Sequence, residues 1–519
     1  MTNENKKYAI LSVSNKKNID KLAKHLIKNN YIILSTGGTA KFLTSKHIKN
    51  ISISKFTAFE EILEGRVKTL HPKIHAGILA KDKSSIYALK NHKYELIDMV
   101  VVNLYPFEET ISKKNCSYKE AIENIDIGGP TMLRAAAKNH QRVTVVTDPN
   151  DYDVIIHELN KSGKTSSMLR SQLALKVFKK ISHYDAMISE YLEGNRQKSK
   201  NDFPEEFNLT LNNKYELRYG ENPHQKAAIY DIQTPKLLGF DYKQLAGKEL
   251  SYNNLVDAES AVACVKQFSK PSCVIVKHAN PCGVAESDSL IKSYNYAYDT
   301  DPTSAFGGII AFNKPLDSKL LKKIISQQFV EVILASGFDK ECMNIIKSKP
   351  NIRLLLVNKS LKNLKEYEMK TLKNKMLIQQ SDKITLKEKN LDFVTKRKPS
   401  KKQISDLIFA FKVSRYVKSN AIVFAKNNRT LAIGAGQMSR IDSTNIAKTK
   451  AKKNNISLKG CVMASEAFFP FRDNVDLAKK IGVTAIIQPG GSIKDQDIID
   501  VVDKHKISMV LSGIRVFKH

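Results

Sequence analysis

The sequence predicts an α/β protein of more than one domain, and three observations predict it. The chain has 519 residues, a length that suggests about two to four domains. Short runs rich in Val and Ile alternate with stretches of helical spacing. These runs are apolar throughout rather than alternating, as expected of a parallel sheet covered on both faces.

The first strand is "YAILSVS" (8–14), followed by "KNIDKLAKHLIKNN", where Ile19, Leu22, Ala23, Leu26 and Ile27 fall at helical spacing. "YIILST" (31–36) is the second strand and runs into the turn Gly37-Gly38. "IDMVVVNLYPF" (97–107) and "RVTVVTDP" (142–149) follow, and helical patterns continue to about residue 194. A first domain is therefore expected over 1–194, and the polar segment 195–214 reads as a linker. The remainder, 215–519, carries strand-like "CVIVKHA" (273–279), "GGIIAF" (307–312), "NAIVFAK" (420–426), "TLAIGAG" (430–436), "GVTAIIQP" (482–489) and "ISMVLSG" (507–513). It reads as two α/β units near 215–340 and 405–519, joined by a Lys-rich stretch over 341–404 without motifs. No strict short-period repeat is visible.

An apolar fraction of 42%, with 21 Phe and 19 Tyr, is enough to build packed interiors. The net charge of +32 raises the question of nucleic acid. Lys is spread along the chain with Asn and Ile, "KPSKKQ" (398–403) is short, and no basic run is interleaved with aromatics. The charge is expected to favour small anionic substrates such as phosphates and folates, not nucleic acid. The six Cys form no CxxC, and residues 1–20 lack the pattern of a signal peptide. No apolar run approaches the roughly 20 residues of a membrane helix. A cytoplasmic protein with reduced thiols and no membrane partner is expected.

"STGGTA" (35–40) lies between a strand and a helix. Its N–H groups, with Ser35 and Thr39, can cradle a phosphate, or the glycines can simply serve a turn. Ser12, Ser14 and Lys16 of "SVSNKK" end the preceding strand and favour the phosphate. "EGRVKTLHPKIHAGIL" (64–79) gathers Arg66, Lys68, His71, Lys73 and His75. Pro72 argues for a turn there rather than a helix, and against a zinc pair at His71 and His75. "NLYPF" sets Asn103 and Tyr105 at the sheet's C-terminal edge, where open α/β sheets bind ligands. "IDIGGPTMLRAAAKNH" (125–140) carries Asp126 before a helix with Arg134 and Lys138. Asp126 is either a helix-entry cap or, with Lys68, Tyr105 and Lys138, part of a proton-transfer set.

In the C-terminal half, "LRYGENPHQKAA" (217–228) is dense in polar groups ahead of any strand, and "LSYNNLVDA" (250–258) follows. "ASEAFFPFRDNVD" (464–476) places three Phe beside Arg472 and Asp473, a core cluster or a flat-ring binding surface. "PGGS" (489–492) is a turn or a phosphate element. In "VIVKHANPCGVAES" (275–288), Cys282 could be a nucleophile, a zinc ligand or a bystander. A zinc deaminase needs HxE and PCxxC; here Asn280 replaces the Glu and the second Cys is missing. Acid–base chemistry by Lys277 and His278 is favoured, provided the strand ends there so that both line one pocket.

"STGGTA", "GRVKTLHPKIHAGIL", "NLYPF", "IDIGGPTMLRAAAKNH", "RYGENPHQ", "KHANPCG", "DPTSAFGG", "GAGQMSR", "AFFPFRD" and "QPGGS" occur in this order over nearly the whole chain. Together they resemble the bifunctional purine-biosynthesis family of phosphoribosylaminoimidazolecarboxamide (AICAR) formyltransferase / inosine monophosphate (IMP) cyclohydrolase. The resemblance implies an N-terminal methylglyoxal-synthase-like domain with a parallel sheet. It also implies two C-terminal cytidine-deaminase-like subdomains without zinc, and a homodimer whose transformylase site forms across the interface. It implies 10-formyltetrahydrofolate as co-substrate, with no nicotinamide or flavin, and leaves room for a monovalent cation.

By the same resemblance, His278 takes the proton of the AICAR amine, Lys277 helps the folate nitrogen leave, Asn420 steadies the formyl oxygen or the His, and Asp473 acts near the folate. Arg218, Tyr219, His224, Gly307, Arg440, Phe468 and Arg515 match the substrate site; around Arg515 the tail "IRVFKH" departs from the family. In ring closure Lys68 stabilises an oxyanion, and Tyr105, Asp126 and Lys138 relay protons. Ser12, Ser14, Lys16, Ser35, Thr36, Gly37, Gly38 and Thr39 match the phosphate site, with Arg66, Thr69 and Asn103 beside it. Asn15 and Lys17 stand where the family commonly has Asp and Thr. Two rival readings are a monofunctional enzyme with one decayed half and a nucleic-acid-binding protein.

Overall fold

The computed structural model describes residues 6–195, 206–232, 241–357, 367–382 and 384–519. They divide into two units, Met1–Asn208 and Leu209–His519. Half of the stretch read as a linker, 196–205, lies outside the described residues, and its end is strand, since Leu211–Leu217 pairs with Ala227–Ile232. "RYGENPHQ" therefore follows a strand and fills a hairpin loop, contrary to the sequence reading.

The first unit is a five-stranded parallel sheet of β1 (Lys7–Val13), β2 (Tyr31–Ser35), β3 (Ile51–Ser52), β4 (Met99–Asn103) and β5 (Thr144–Val146) in the order β3-β2-β1-β4-β5. All of β4 is buried, as its uninterrupted apolar run requires. Helix Ile19–Lys28 covers the sheet with Ile19, Leu22, Ala23 and Leu26, the apolar stripe of its sequence. Chain direction across the sheet reverses between β1 and β4, so the loops after these strands part and leave a crevice at their C-terminal ends.

Pro72 does not prevent a helix: Pro72–Leu79 is helical, with Pro72 in its first turn. Proline is tolerated there because that N–H has no partner within the helix. The restriction falls on His71, which is extended and caps the helix by accepting the Lys73 N–H at 3.1 Å. His71 is thus outside the helix, and no i,i+4 pair with His75 exists.

The second unit holds a twelve-stranded sheet. At its centre two hairpins, Ser272–Lys277/Asn280–Glu286 and Ile422–Lys426/Arg429–Gly434, pair antiparallel through Ala285 and Arg429. Outward from the first run Gly308–Phe312, Val330–Ala335 and Arg353–Val357, parallel to one another, and then the edge strand Tyr242–Ala246. Outward from the second run Val462–Ser465, Ala485–Gln488 and Ser508–Leu511, again parallel, and then Asp392–Phe393. The halves therefore repeat one topology about the central pair. The stretch 341–404 is not a bare connector, since it gives a strand to each half and a separate hairpin, Tyr367–Leu372/Lys375–Gln380.

Each central hairpin turns in two residues, and both turns take the type I′ form, with left-handed backbone at both positions. His278 and Ala279 have φ of 52° and 57°, and Asn427 and Asn428 have 58° and 52°. Asn, and to a lesser degree His, enters this region more readily than most residues, whereas a residue such as Ala loses about 1–2 kcal/mol there.

A glycine in each half lets a helix lie directly on the sheet. A Cβ on Gly283 would stand 1.9 Å from the Ala297 carbonyl oxygen, and one on Gly434 1.9 Å from that of Ser443. Backbone cannot yield as a side chain would. Gly283→Ala and Gly434→Ala are each expected to reach the upper end of the about 1–3 kcal/mol that overpacking costs, measured by denaturant unfolding of the purified variants.

Candidate functional site

In the first unit the crevice between β1 and β4 is bridged by side chains. Ser14 donates to the Leu104 carbonyl at 2.7 Å, and Asn103 accepts the Asn15 N–H at 3.0 Å. Thr39 bonds both polar groups of Val13 and receives Lys16 Nζ at 3.3 Å, while Ser12 and Thr36 share a bond of 2.7 Å. Helix Gly37–Ser45 opens here, and its cap residue Thr36 makes no side-chain bond to its N–H groups. Nothing lies within 4 Å of where a Cβ on Gly37 or Gly38 would stand, so an anion has access to that helix end. Ser35 is turned away from the helix end, its hydroxyl donating to Asn50 at 2.6 Å, and the hydroxyl protons of Ser14 and Thr39 are likewise taken by the carbonyls of Leu104 and Val13.

Beside this cradle, Lys68, Tyr105 and Asp126 come together. Asp126 accepts the Gly129 N–H at 2.8 Å and gives its own N–H to the Tyr184 hydroxyl at 2.8 Å. A Cβ on Gly129 would sit 2.4 Å from the carboxylate, and one on Gly128 2.5 Å from the Thr69 hydroxyl, so a side chain at either position would displace Asp126 or Thr69. Burial pushes the Asp126 carboxyl above its ordinary range, against the N–H groups of Gly129 and Tyr105 and the charge of Lys68. Burial, then the charge of Asp126, pushes the Tyr105 phenol up as well. Arg66, mostly exposed, pairs with Glu123. Lys138 is the exposed last residue of helix Gly128–Lys138, whose backbone rises about 15 Å along the axis from Gly128.

In the second unit the strand does end at Lys277, so Lys277 and His278 both line one cavity of about 520 Å³. Asn280, Cys282, Asp301, Phe306, Gln437 and Lys450 also line it. Lys277 Nζ donates to the carbonyls of Phe306 and Gly307 at 3.1 and 3.0 Å, which leaves one of its three protons free. Gly307 has φ +68°, and a Cβ there would come within 2.9 Å of that Nζ. Asn420 donates to the carbonyls of Gln437, a residue of the cavity wall, and of Met438 at 2.9 and 3.1 Å. Cys282 is a bystander in charge: burial pushes its thiol up to about 12, so it is neither thiolate nucleophile nor ready metal ligand at neutral pH. Among the described residues no group of three His, Cys, Asp or Glu is arranged to hold a metal ion.

The other expected residues stand elsewhere in this unit. Arg218 lies over the Tyr219 ring and donates to its hydroxyl at 2.8 Å, near Arg353 and Glu331. His224 is exposed in the hairpin loop. Arg440 is buried against Glu466 at 2.8 Å and donates to the Phe468 carbonyl at 3.2 Å. Asp473 opens helix Asp473–Ile481 and accepts from Asn474, and Arg515 lies over the Phe517 ring. Of the three Phe, Phe469 is core and only Phe468 and Phe471 keep exposed surface. The N–H groups of Gly491 and Ser492 are filled by Asp495, which makes "PGGS" a turn.

Comparison with known families gives two matches. Residues 136–450 match the family model described as AICARFT/IMPCHase bienzyme, and residues 18–131 match the MGS-like domain. The first spans more than half of the chain. The chain belongs to the AICARFT/IMPCHase bienzyme family. It is a bifunctional enzyme of purine biosynthesis, an AICAR formyltransferase and IMP cyclohydrolase, with an MGS-like N-terminal domain. A solved structure described as "Crystal structure of ForH" shares 33% identity over 36% of this chain and 95% of its own, with a TM-score of 0.34, too low to support an argument.

For a bienzyme chain, sequence reading missed several polar groups that surround the expected residues. Glu331 receives Asn254 at 3.0 Å near Arg353, and Glu466 is fully buried and receives Ser419, the residue before Asn420. Tyr184 comes from a helix 58 residues beyond Asp126. None stands in a distinctive local motif, and an acidic residue within a buried-looking strand was the one available signal.

Burial leaves the folded chain holding the Asp126 proton more tightly than the unfolded chain does. Ionised Asp126 therefore lowers stability above its folded value, and the cost fades as the pH falls through that value toward the ordinary carboxyl range. Asp126→Asn is expected to melt above wild type at pH 7, with the gap closing toward about pH 4, measured by calorimetry across that range.

Proposed function

We propose that formyl transfer takes place in the cavity at Lys277 and His278, with 10-formyltetrahydrofolate as donor, and ring closure at Lys68, Tyr105 and Asp126. The observation that carries this reading is the strand end at Lys277 and the turn at 278–279, which bring an ammonium and an imidazole to one cavity. The AICAR amine is a poor nucleophile, since its lone pair is delocalised into the ring. As its nitrogen bonds to the formyl carbon, His278 takes a proton from it. The bond from that carbon to the folate nitrogen breaks, and Lys277, fixed by two carbonyls, supplies hydrogen bonding and a proton toward the leaving nitrogen. Asn420 is beside this pair through Gln437.

In ring closure the carboxamide nitrogen attacks the formyl carbon, and the resulting alkoxide lies against Lys68. Tyr105 and Asp126, both raised by burial, exchange the protons needed to expel that oxygen as water. The substrate phosphate sits on the open helix end at Gly37 and Gly38, with Lys16.

We propose further that the enzyme is a cytoplasmic homodimer. Phe306 and Phe329, 64% and 49% exposed, lie 5.5 Å apart beside the Lys277 cavity, and Met438 is 93% exposed. An apolar rim of this kind is suited to cover by another surface, and a second copy would complete the site. Six unpaired cysteines suit a reducing compartment. A monovalent cation fits at Glu466. One of its buried oxygens has no partner while the other receives Arg440 and Ser419 at 2.8 and 3.0 Å.

Purified protein given AICAR and 10-formyltetrahydrofolate is expected to form IMP. His278→Ala is expected to form no product, and Lys68→Ala to accumulate formyl-AICAR above the slow spontaneous closure, followed by chromatography. Product from His278→Ala at the wild-type rate would sink the assignment. Sedimentation is expected to give twice the 58.4 kDa chain mass; a monomer retaining full formyl transfer would exclude the shared site.

A further inference from the structure

The turn that carries His278 is held from outside by a single helix. Asp257, on helix Tyr252–Val265, accepts the Ala279 N–H through Oδ1 at 2.6 Å, and Ser260 of that helix donates to the Ala279 carbonyl at 3.0 Å. Both polar backbone groups of one turn residue are thus clamped. Asn280 closes the other side, donating to the His278 carbonyl at 3.1 Å and accepting the Lys418 N–H at 2.9 Å.

The repeated topology supplies an internal comparison. In the second half Asp406, on helix Lys401–Ser414, accepts the Asn428 N–H through Oδ1 at 2.7 Å. Each Asp stands 22 residues before the amide it receives. The clamp therefore belongs to the repeat, but the turns differ. Asn427-Asn428 suits left-handed backbone at both positions, whereas in His278-Ala279 only the His is of a type enriched there and Ala279, the residue that is clamped, is not. The turn with the chemistry depends on its clamp more than the turn without it.

We infer that Asp257 is a positioning residue for formyl transfer, fixing the strained His278–Ala279 turn so that the imidazole faces the cavity. This rests on the reading of His278 given above. Asp257 touches no reacting atom, and the carboxylate acts through the Ala279 amide.

The experiment measures formyl transfer and ring closure separately in full-length Asp257→Ala, Asp257→Asn, Ser260→Ala, Asp406→Ala and His278→Ala. Asp257→Ala is expected to lower kcat of formyl transfer about tenfold to hundredfold, as misplacing a reacting group by about 1 Å does, with a much smaller change in KM. Asp257→Asn keeps an acceptor for the amide and is expected to recover most of that loss. Asp406→Ala is expected to leave kcat within twofold, and ring closure to be unchanged throughout. Equal effects of Asp257→Ala and Asp406→Ala on kcat, or none from Asp257→Ala, would overturn the inference. If Asp257→Ala does not fold, Ser260→Ala decides: a lowered kcat upholds the clamp and an unchanged one overturns it. Full formyl transfer by His278→Ala would instead remove the reading beneath.

Discussion

A two-residue hairpin allows almost no choice of backbone, and the C-terminal unit is organised around two of them. Both residues of each turn are left-handed, the conformation of a type I′ turn. That geometry ends the strand at Lys277 and sends His278 to the wall of the cavity. The antiparallel meeting of the hairpins at Ala285 and Arg429 makes one sheet from two halves. The close seating of a helix on Gly283, and of another on Gly434, follows from the same arrangement, since any side chain there would strike a main-chain carbonyl.

The N-terminal unit depends on a different constraint, the reversal of strand order between β1 and β4. It opens a crevice into which three loops deliver hydroxyls, a helix end and a Lys without distorting the sheet. Asp126 is buried there although burial disfavours its charge. A carboxylate kept uncomfortable for stability is available for proton exchange, and that is the physical sense in which this site trades stability for chemistry.

Much of the fold was legible because apolar runs declare themselves locally. β1, β2, β4 and β5 were each evident from a few residues, as were the strands bearing Lys277 and the second hairpin. Strands such as Val330–Ala335 and Arg353–Val357 were not, because they lie among Lys-rich helices and only the sheet reveals them as interior. Pro72 misled for a clear reason: its effect falls on the residue before it, which here is a helix cap. Among site residues, Lys68, Tyr105 and Asp126 stand near one another, while Lys138 lies at the far end of the helix that begins beside Asp126.

Residue order by itself determined the α/β class, the glycines at tight turns, the polar groups at strand ends and the resemblance that named the chemistry. These depend on periodicity and composition within windows of a few residues. Tertiary structure alone decided which of those groups meet. It turned Ser35 toward Asn50, buried Cys282 beyond ionisation, and set Asp257 against Ala279 and Tyr184 against Asp126. Such pairings join residues tens of positions apart, and their energies depend on burial, a property of the packed chain that no local stretch of sequence carries.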